Sequence, residues 1–215
     1  MLGFTLSKFS LLILVISIFG IVSFFTLHLT DSLKVKALND LLSHNSSIAS
    51  EMMSSPSYCD ILLVKIPETV TLSASEMYYI MRISSISAPP IGEKPAKNYL
   101  IFSAADRKNT DAVIASSSSP TTAEIIFYKR NSEGPLEGTY SRVTGDNAGI
   151  LLDPSARSTE LSDAFYLVKE INNDGKTQLY VFPCAISGGL QSICDNVKTA
   201  VGAAVHGQGK KFKCG

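Results

Sequence analysis

The side chains able to do chemistry in this 215-residue chain are few and scattered. The three histidines are His28 inside an apolar run, His44 on the polar side of a helical stretch, and His206 near the C-terminus. None has a partner at a spacing that serves a metal or a general base, so each reads as structural or solvated. Serine is plentiful, but no Gly-x-Ser-x-Gly elbow presents one as a nucleophile. Phosphate loops and dinucleotide fingerprints are absent. Gly145-Asp146-Asn147 and Asn173-Asp174-Gly175 hold oxygens that a calcium ion could use, and turn chemistry accounts for the same residues. Lys210, Lys211 and Lys213 surround Phe212 at a glycine-rich end. Clustered cations are what a DNA or anionic-surface contact needs, while a solvated terminus is the plainer reading. The expectation is a protein with no catalytic residues, no metal and no cofactor, and not an enzyme.

Cysteine use says more. Cys59, Cys184, Cys194 and Cys214 form no C-x-x-C pair and have no neighbouring pair of histidines, so zinc and haem attachment are not expected. An even number fits two disulfides in an oxidising compartment. Of the three possible connectivities, Cys59–Cys184 with Cys194–Cys214 is slightly preferred, and spacing alone does not settle it. With 19 basic and 19 acidic residues the formal net charge is zero, so no global field favours a nucleic acid.

The elements that would position these groups begin with the N-terminus. From Phe9 to Leu29 no Asp, Glu, Lys or Arg occurs. At 1.5 Å per residue that run matches a hydrocarbon core of roughly 30 Å and reads as a membrane-spanning helix. A cleaved signal peptide would need a shorter apolar region and a small-x-small site, which His28-Leu29-Thr30-Asp31-Ser32 lacks, so the helix is expected to be retained. Lys8 precedes it and Asp31, Lys34 and Lys36 follow, so flanking charge does not fix the orientation. Disulfides would place residues 30–215 outside the cytoplasm.

Past the apolar run, Leu33, Ala37, Leu38, Leu41, Leu42, Ile48, Ala49 and Met52 recur at three-to-four spacing, with Lys34, Asn39, Asp40, His44, Ser47 and Glu51 largely between them. Pro56 is the expected stop. The result is one helix of roughly fifty residues, apolar on all sides in its first half and amphipathic in its second. Strands are expected at 60–66, 69–73, 99–103, 124–129 and 140–144, while 76–86 fits either a helix or a strand. Residues 88–95 hold three prolines and a glycine and read as a loop; Ser116 to Ser119 with Pro120 reads as an exposed polar connection. Residues 165–171 and 177–182 form a hairpin through the corner Asp174-Gly175. The fold class is therefore α+β: a long N-terminal helix packed on an antiparallel β-sheet head. Its divisions are a leader at 1–3, a membrane or filament-core helix at 4–30, an amphipathic continuation at 31–55, and a β-rich head at 56–215 whose C-terminal segment is closed by cysteines.

Gly3-Phe4-Thr5-Leu6 at the mouth of the apolar run, the amphipathic continuation, the β-rich head and the cysteine-closed end together resemble type IV pilins and the pseudopilins of type II secretion. The resemblance covers the first fifty-odd residues in detail and the rest in architecture. It implies cleavage between Gly3 and Phe4, methylation of the new amino terminus on Phe4, and assembly through a helix face that includes Phe4, Leu6, Lys8, Leu12, Ile16, Phe19 and Phe24. The family's glutamate, five residues into the mature chain, falls on Lys8, which cannot pair with a neighbour's terminal amine. The leader Met1-Leu2-Gly3 carries no basic residue. A minor or tip subunit, or a different core pairing, fits Lys8 better than a standard major pilin does. The implied partners are copies of the chain or related pilins, with the membrane holding the helix before assembly and an extracellular filament after it. The alternative is a monomeric, signal-anchored domain that binds a ligand or partner outside the cytoplasm.

Overall fold

The computed structural model describes residues 2–72, 75–89, 97–131, 140–145, 148–155, 162–172 and 174–184, together with Gly202 and Val205. Helix α1 (Leu2–Ser54) runs unbroken for 53 residues, about 80 Å at the standard rise. Its last amide bonds are made by Ser55, whose N–H lies 3.1 Å from Glu51 O and 3.3 Å from Met52 O, just ahead of Pro56. In the second half Leu38, Leu42, Ala49 and Met52 are buried, and Leu33, Ala37, Leu41 and Ile48 pack partly against the same core. This is the stripe expected from the spacing. Asn45 and Ser46 are buried with it, and the Asn45 amide points at Met81 Sδ, 3.7 Å away.

The strands are β1 (Cys59–Lys65), β2 (Val70–Leu72), β3 (Ser75–Met77), β4 (Tyr79–Ala88), β5 (Lys97–Asp106), β6 (Asn109–Thr121), β7 (Glu124–Arg130), β8 (Tyr140–Arg142), β9 (Gly149–Leu152), β10 (Ala164–Ile171) and β11 (Thr177–Cys184). They form a five-stranded sheet in the order β1-β10-β11-β7-β8, a four-stranded sheet in the order β6-β5-β4-β9, and the small pair β2-β3. Pairing is antiparallel apart from β11 with β7. The α+β class thus holds, with two main sheets where one was expected. Their inner faces meet at Phe102 of β5 and Phe165 of β10, whose ring centroids are 6.1 Å apart. The second half of α1 lies on β6, β5 and β2. The main core sits between the two sheets and this half of the helix.

Residues 76–86 resolve as the end of β3 and most of β4, broken at Tyr78: Tyr79, Met81 and Ile83 are fully buried at a spacing of two, which a helix would scatter around its axis. The segment Ser116 to Pro120 is not an exposed connection. It belongs to β6, paired with β5 from Thr121 to Ala115. Ala115 and Ser119 are buried where α1 crosses, so these small side chains answer to the space under the helix. Pro120 is tolerated because β6 is the outer strand of its sheet. The 165–182 hairpin forms as expected: Gly175 takes φ 74°, its N–H donates to Asn172 O at 2.8 Å, and Asn172 N–H donates to Lys176 O at 2.9 Å. Strand β9 had no sequence signal, being four residues long and opening on Gly149. A Cβ there would sit 2.6 Å from Ile83 O, so only glycine lets β9 approach β4. The 88–95 loop begins after β4 at Pro89, and most of it falls outside the described residues.

Cys59 and Cys184 are both disulfide-bonded, but not to each other as preferred. Cys59 stands opposite Glu170 and Cys184 opposite Ala164, at the two ends of β10. Six residues at about 3.3 Å each put them roughly 20 Å apart, well beyond the ~7 Å a disulfide spans. Their partners, like Cys194 and Cys214, lie outside the described residues.

One residue ties helix to sheet. Lys169 lies on the same face of β10 as Phe165 and Leu167 and is 2% exposed. Its ammonium donates to Met52 O at 3.3 Å and to Ser55 O, at the C-terminal end of α1. The last turn of α1 holds no basic residue of its own, so the cation that satisfies its closing carbonyls comes from the sheet. Replacing it leaves the part-buried Ser55 carbonyl without its donor and Met52 O with Ser55 N–H alone. Lys169→Met is expected to lower stability by about 2–3 kcal/mol, read as an earlier urea midpoint at unchanged slope; an unmoved midpoint would contradict this role.

Candidate functional site

The first half of α1 is the candidate site. Between Phe9 and Leu29, fifteen large apolar side chains are exposed around the whole helix, from Val15 at 43% to Phe19 at 71%. Leu12, Ile16, Phe19 and Phe24 of the expected assembly face are among them. Gly3, Phe4, Leu6 and Lys8 lie on the helical backbone of α1, and their side chains fall outside the description. Covering such side chains is worth roughly 1.5–3 kcal/mol each, on the order of 20–40 kcal/mol in all. A domain's whole stability is about 5–15 kcal/mol. Left in water, this surface would outweigh the fold that carries it, so it needs an apolar surrounding.

The polar residues inside this half are satisfied locally. Ser17 Oγ donates to Ile13 O at 2.8 Å, Thr26 Oγ1 to Val22 O at 2.8 Å, and Thr30 Oγ1 to Thr26 O at 2.9 Å. A hydroxyl bonded to the carbonyl four residues back no longer asks for water. His28 stacks edge-on to Phe24 with centroids 4.3 Å apart. By length and composition the helix can cross a membrane, with none of its most apolar stretch buried in the head.

The other candidates dissolve into structure or lie outside the described residues. Among the described residues no group of three or more His, Cys, Asp or Glu comes together to hold a metal. Gly145 takes φ 124° and its carbonyl accepts from Ala148 N–H at 3.2 Å, a turn, while Asp146 and Asn147 are outside the description. So are Asn173, His206, Lys210, Lys211 and Lys213. Sequence reading missed Asp153, which is buried and binds Arg107 at 2.9 Å and Ser155 Oγ at 2.8 Å. These contacts pin the β5–β6 turn to the end of β9.

The outer face of the five-stranded sheet carries a second buried cluster that includes Tyr128, Tyr140, Tyr166, Tyr180 and Phe182, with Val205 packed against it. Tyr128 stacks on Phe182 at 4.6 Å and Tyr140 meets it edge-on at 5.5 Å. Tyr140 donates to Pro183 O at 2.8 Å, and burial pushes its phenol up to about 12. Tyr79, bonded to Pro67 O at 2.7 Å, is raised further by burial. Tyr180 is raised by burial and then by the Glu170 carboxylate. All three stay neutral near pH 7, as packing groups rather than acids or bases.

Two outcomes follow. The folded phenols hold their protons above the ordinary tyrosine value near 10, so their contribution is complete below pH 10 and is lost as pH rises toward 12. Urea midpoints should fall between pH 10 and pH 12, and less steeply in Tyr140→Phe; a flat profile would be contrary. In the free helix, lysines at Val15, Phe19 and Val22 add about 8–10 kcal/mol to insertion, against the −5 to −9 kcal/mol that fifteen apolar residues supply. That triple variant should leave the membrane fraction in carbonate while the head's unfolding midpoint stays put, since these side chains touch nothing in the head. No protein-family model, curated protein or solved structure matches the chain.

Proposed function

We propose that the chain is a pilin-like structural subunit of a type IV pilus-type filament, held in a membrane by the first half of α1 until that half packs among other subunits' helices. The observation that carries this reading is the continuity of α1: one unbroken helix is bare and apolar through Leu29 and built into the head's core from Leu38. A detachable anchor needs no rigid connection to its domain. A subunit that transmits load from a filament core to an outer head does.

Three further points support it. Gly3-Phe4-Thr5-Leu6 stands where the resemblance places processing. Gly20 meets no contact within this chain that demands a glycine, and small residues of this kind suit close approach between apolar helices. Two disulfide-bonded cysteines suit a head on the oxidising side of the membrane. Function then resides in assembly and in the exposed head, and no enzymatic step is assigned. Lys8, in place of an acid, fits a minor or tip subunit, or a different core pairing, better than a standard major pilin.

Mass spectrometry of the N-terminus in the native host tests the reading. A chain beginning at methylated Phe4 is expected, and a Gly3→Val variant should retain Met1 and fail to enter filaments. An intact Met1 on a monomer in detergent would instead support the signal-anchored binding domain.

A further inference from the structure

Among the described residues, strand β1 is the outer strand of its sheet, and one of its two edges is not used by β10. The N–H of Ile171 donates to Tyr58 O at 2.9 Å and the N–H of Ile66 to Asp163 O at 3.0 Å. With the register continuous between these points, the even-numbered residues 60, 62 and 64 spend their backbone groups on β10. Ile61, Leu63 and Lys65 therefore turn theirs away from it, and among the described residues no strand pairs with them there.

That side opens on a groove of about 640 Å³ between β1 and α1, walled on the helix by His44, Ile48 and Glu51. The gap follows from the architecture. Helix α1 lies against β6 and covers the open side of the two sheets there, but its contacts do not extend in the same way to β1. Asp60 lines the groove, and among the described residues its buried Oδ2 has no hydrogen-bond partner. Lys169 stands opposite Asp60 in register, yet donates to the carbonyls of Met52 and Ser55. The acid is left to the groove, where Glu51 adds a second carboxylate.

We propose that this groove takes up an extended segment of another protein chain by strand addition, with a basic side chain beside Asp60 and an apolar one against Ile48 and Leu62. The backbone edge of Ile61, Leu63 and Lys65 supplies affinity, and the inward side chains supply selectivity. Because Asp60 bonds to β10, a residue opposite it on the added strand falls in a close, non-hydrogen-bonded pair, where a cation can reach the carboxylate. This is independent of filament formation, since a single subunit carries the whole groove.

The probe is a fluorescein-labelled peptide of roughly ten alternating Thr and Val residues with one central Lys, titrated against the full chain in detergent micelles. Saturable binding is expected. N-methylation of one set of alternate amides should abolish it, while methylation of the other set, which faces away from β1, should change it less than about twofold. Exchanging Lys for norleucine should weaken binding about tenfold to the wild type and have little effect with Asp60→Asn. Absence of saturable binding, tolerance of both methylation patterns, or the same norleucine loss with Asp60→Asn would each overturn the proposal. Filament assembly can fail without affecting any of these readings.

Discussion

The ammonium of Lys169 is enclosed in the head and donates to the carbonyl oxygens of Met52 and Ser55, where α1 ends and the chain turns toward β1. A buried cation is costly unless its donors are used, and the closing carbonyls of a helix are costly unless something donates to them. Each satisfies the other, across 114 residues of sequence. The helix end is thereby fixed to β10, the strand between β1 and β11 in the five-stranded sheet. The direction in which some 30 Å of apolar helix leaves the head depends on this attachment together with the stripe of Leu38, Leu42, Ala49 and Met52.

Along that one helix the solvent requirement changes sign. From Leu38 onward the chain supplies its own apolar surroundings, with small residues such as Ala115 and Ser119 making room beneath α1. Before Leu29 it supplies none, and the shortfall exceeds what the head's folding could offset. Membrane and filament core are two ways of meeting the same demand. Among the described residues, the edge of β1 away from β10 pairs with no strand, and a groove between β1 and α1 is lined by Asp60, whose Oδ2 has no hydrogen-bond partner there.

Much of this was legible in the residues because it rests on periodicity. The long helix, its stop at Pro56, its buried stripe and the Asp174-Gly175 hairpin all follow from spacing and turn chemistry. What was not legible depends on partners far along the chain. Ser116 to Pro120 looks like a loop because its small polar side chains belong to a helix more than sixty residues away. Gly149 looks like a breaker, when it is the point that admits β9 against β4. The preferred Cys59–Cys184 bond fails because the register of β10 carries those cysteines to opposite ends of a strand. Lys169 did leave a signal: it falls in step with Phe165 and Leu167, on the face that should be apolar. Asp60 left none, since its isolation appears only when β1 and α1 are brought together.

The central claim is that the bare half of α1 ends up against other copies of itself or related helices, rather than remaining alone in lipid. A photo-reactive benzoylphenylalanine at Phe19, the most exposed large apolar side chain among the described residues of that half, tests it directly in cells. Helices packed at 8–10 Å bring this side chain within reach of a neighbour. The account predicts lipid adducts in unassembled membranes and, in assembled material, protein adducts stepping up from the 23.1 kDa chain. Lipid adducts alone under every condition would contradict it.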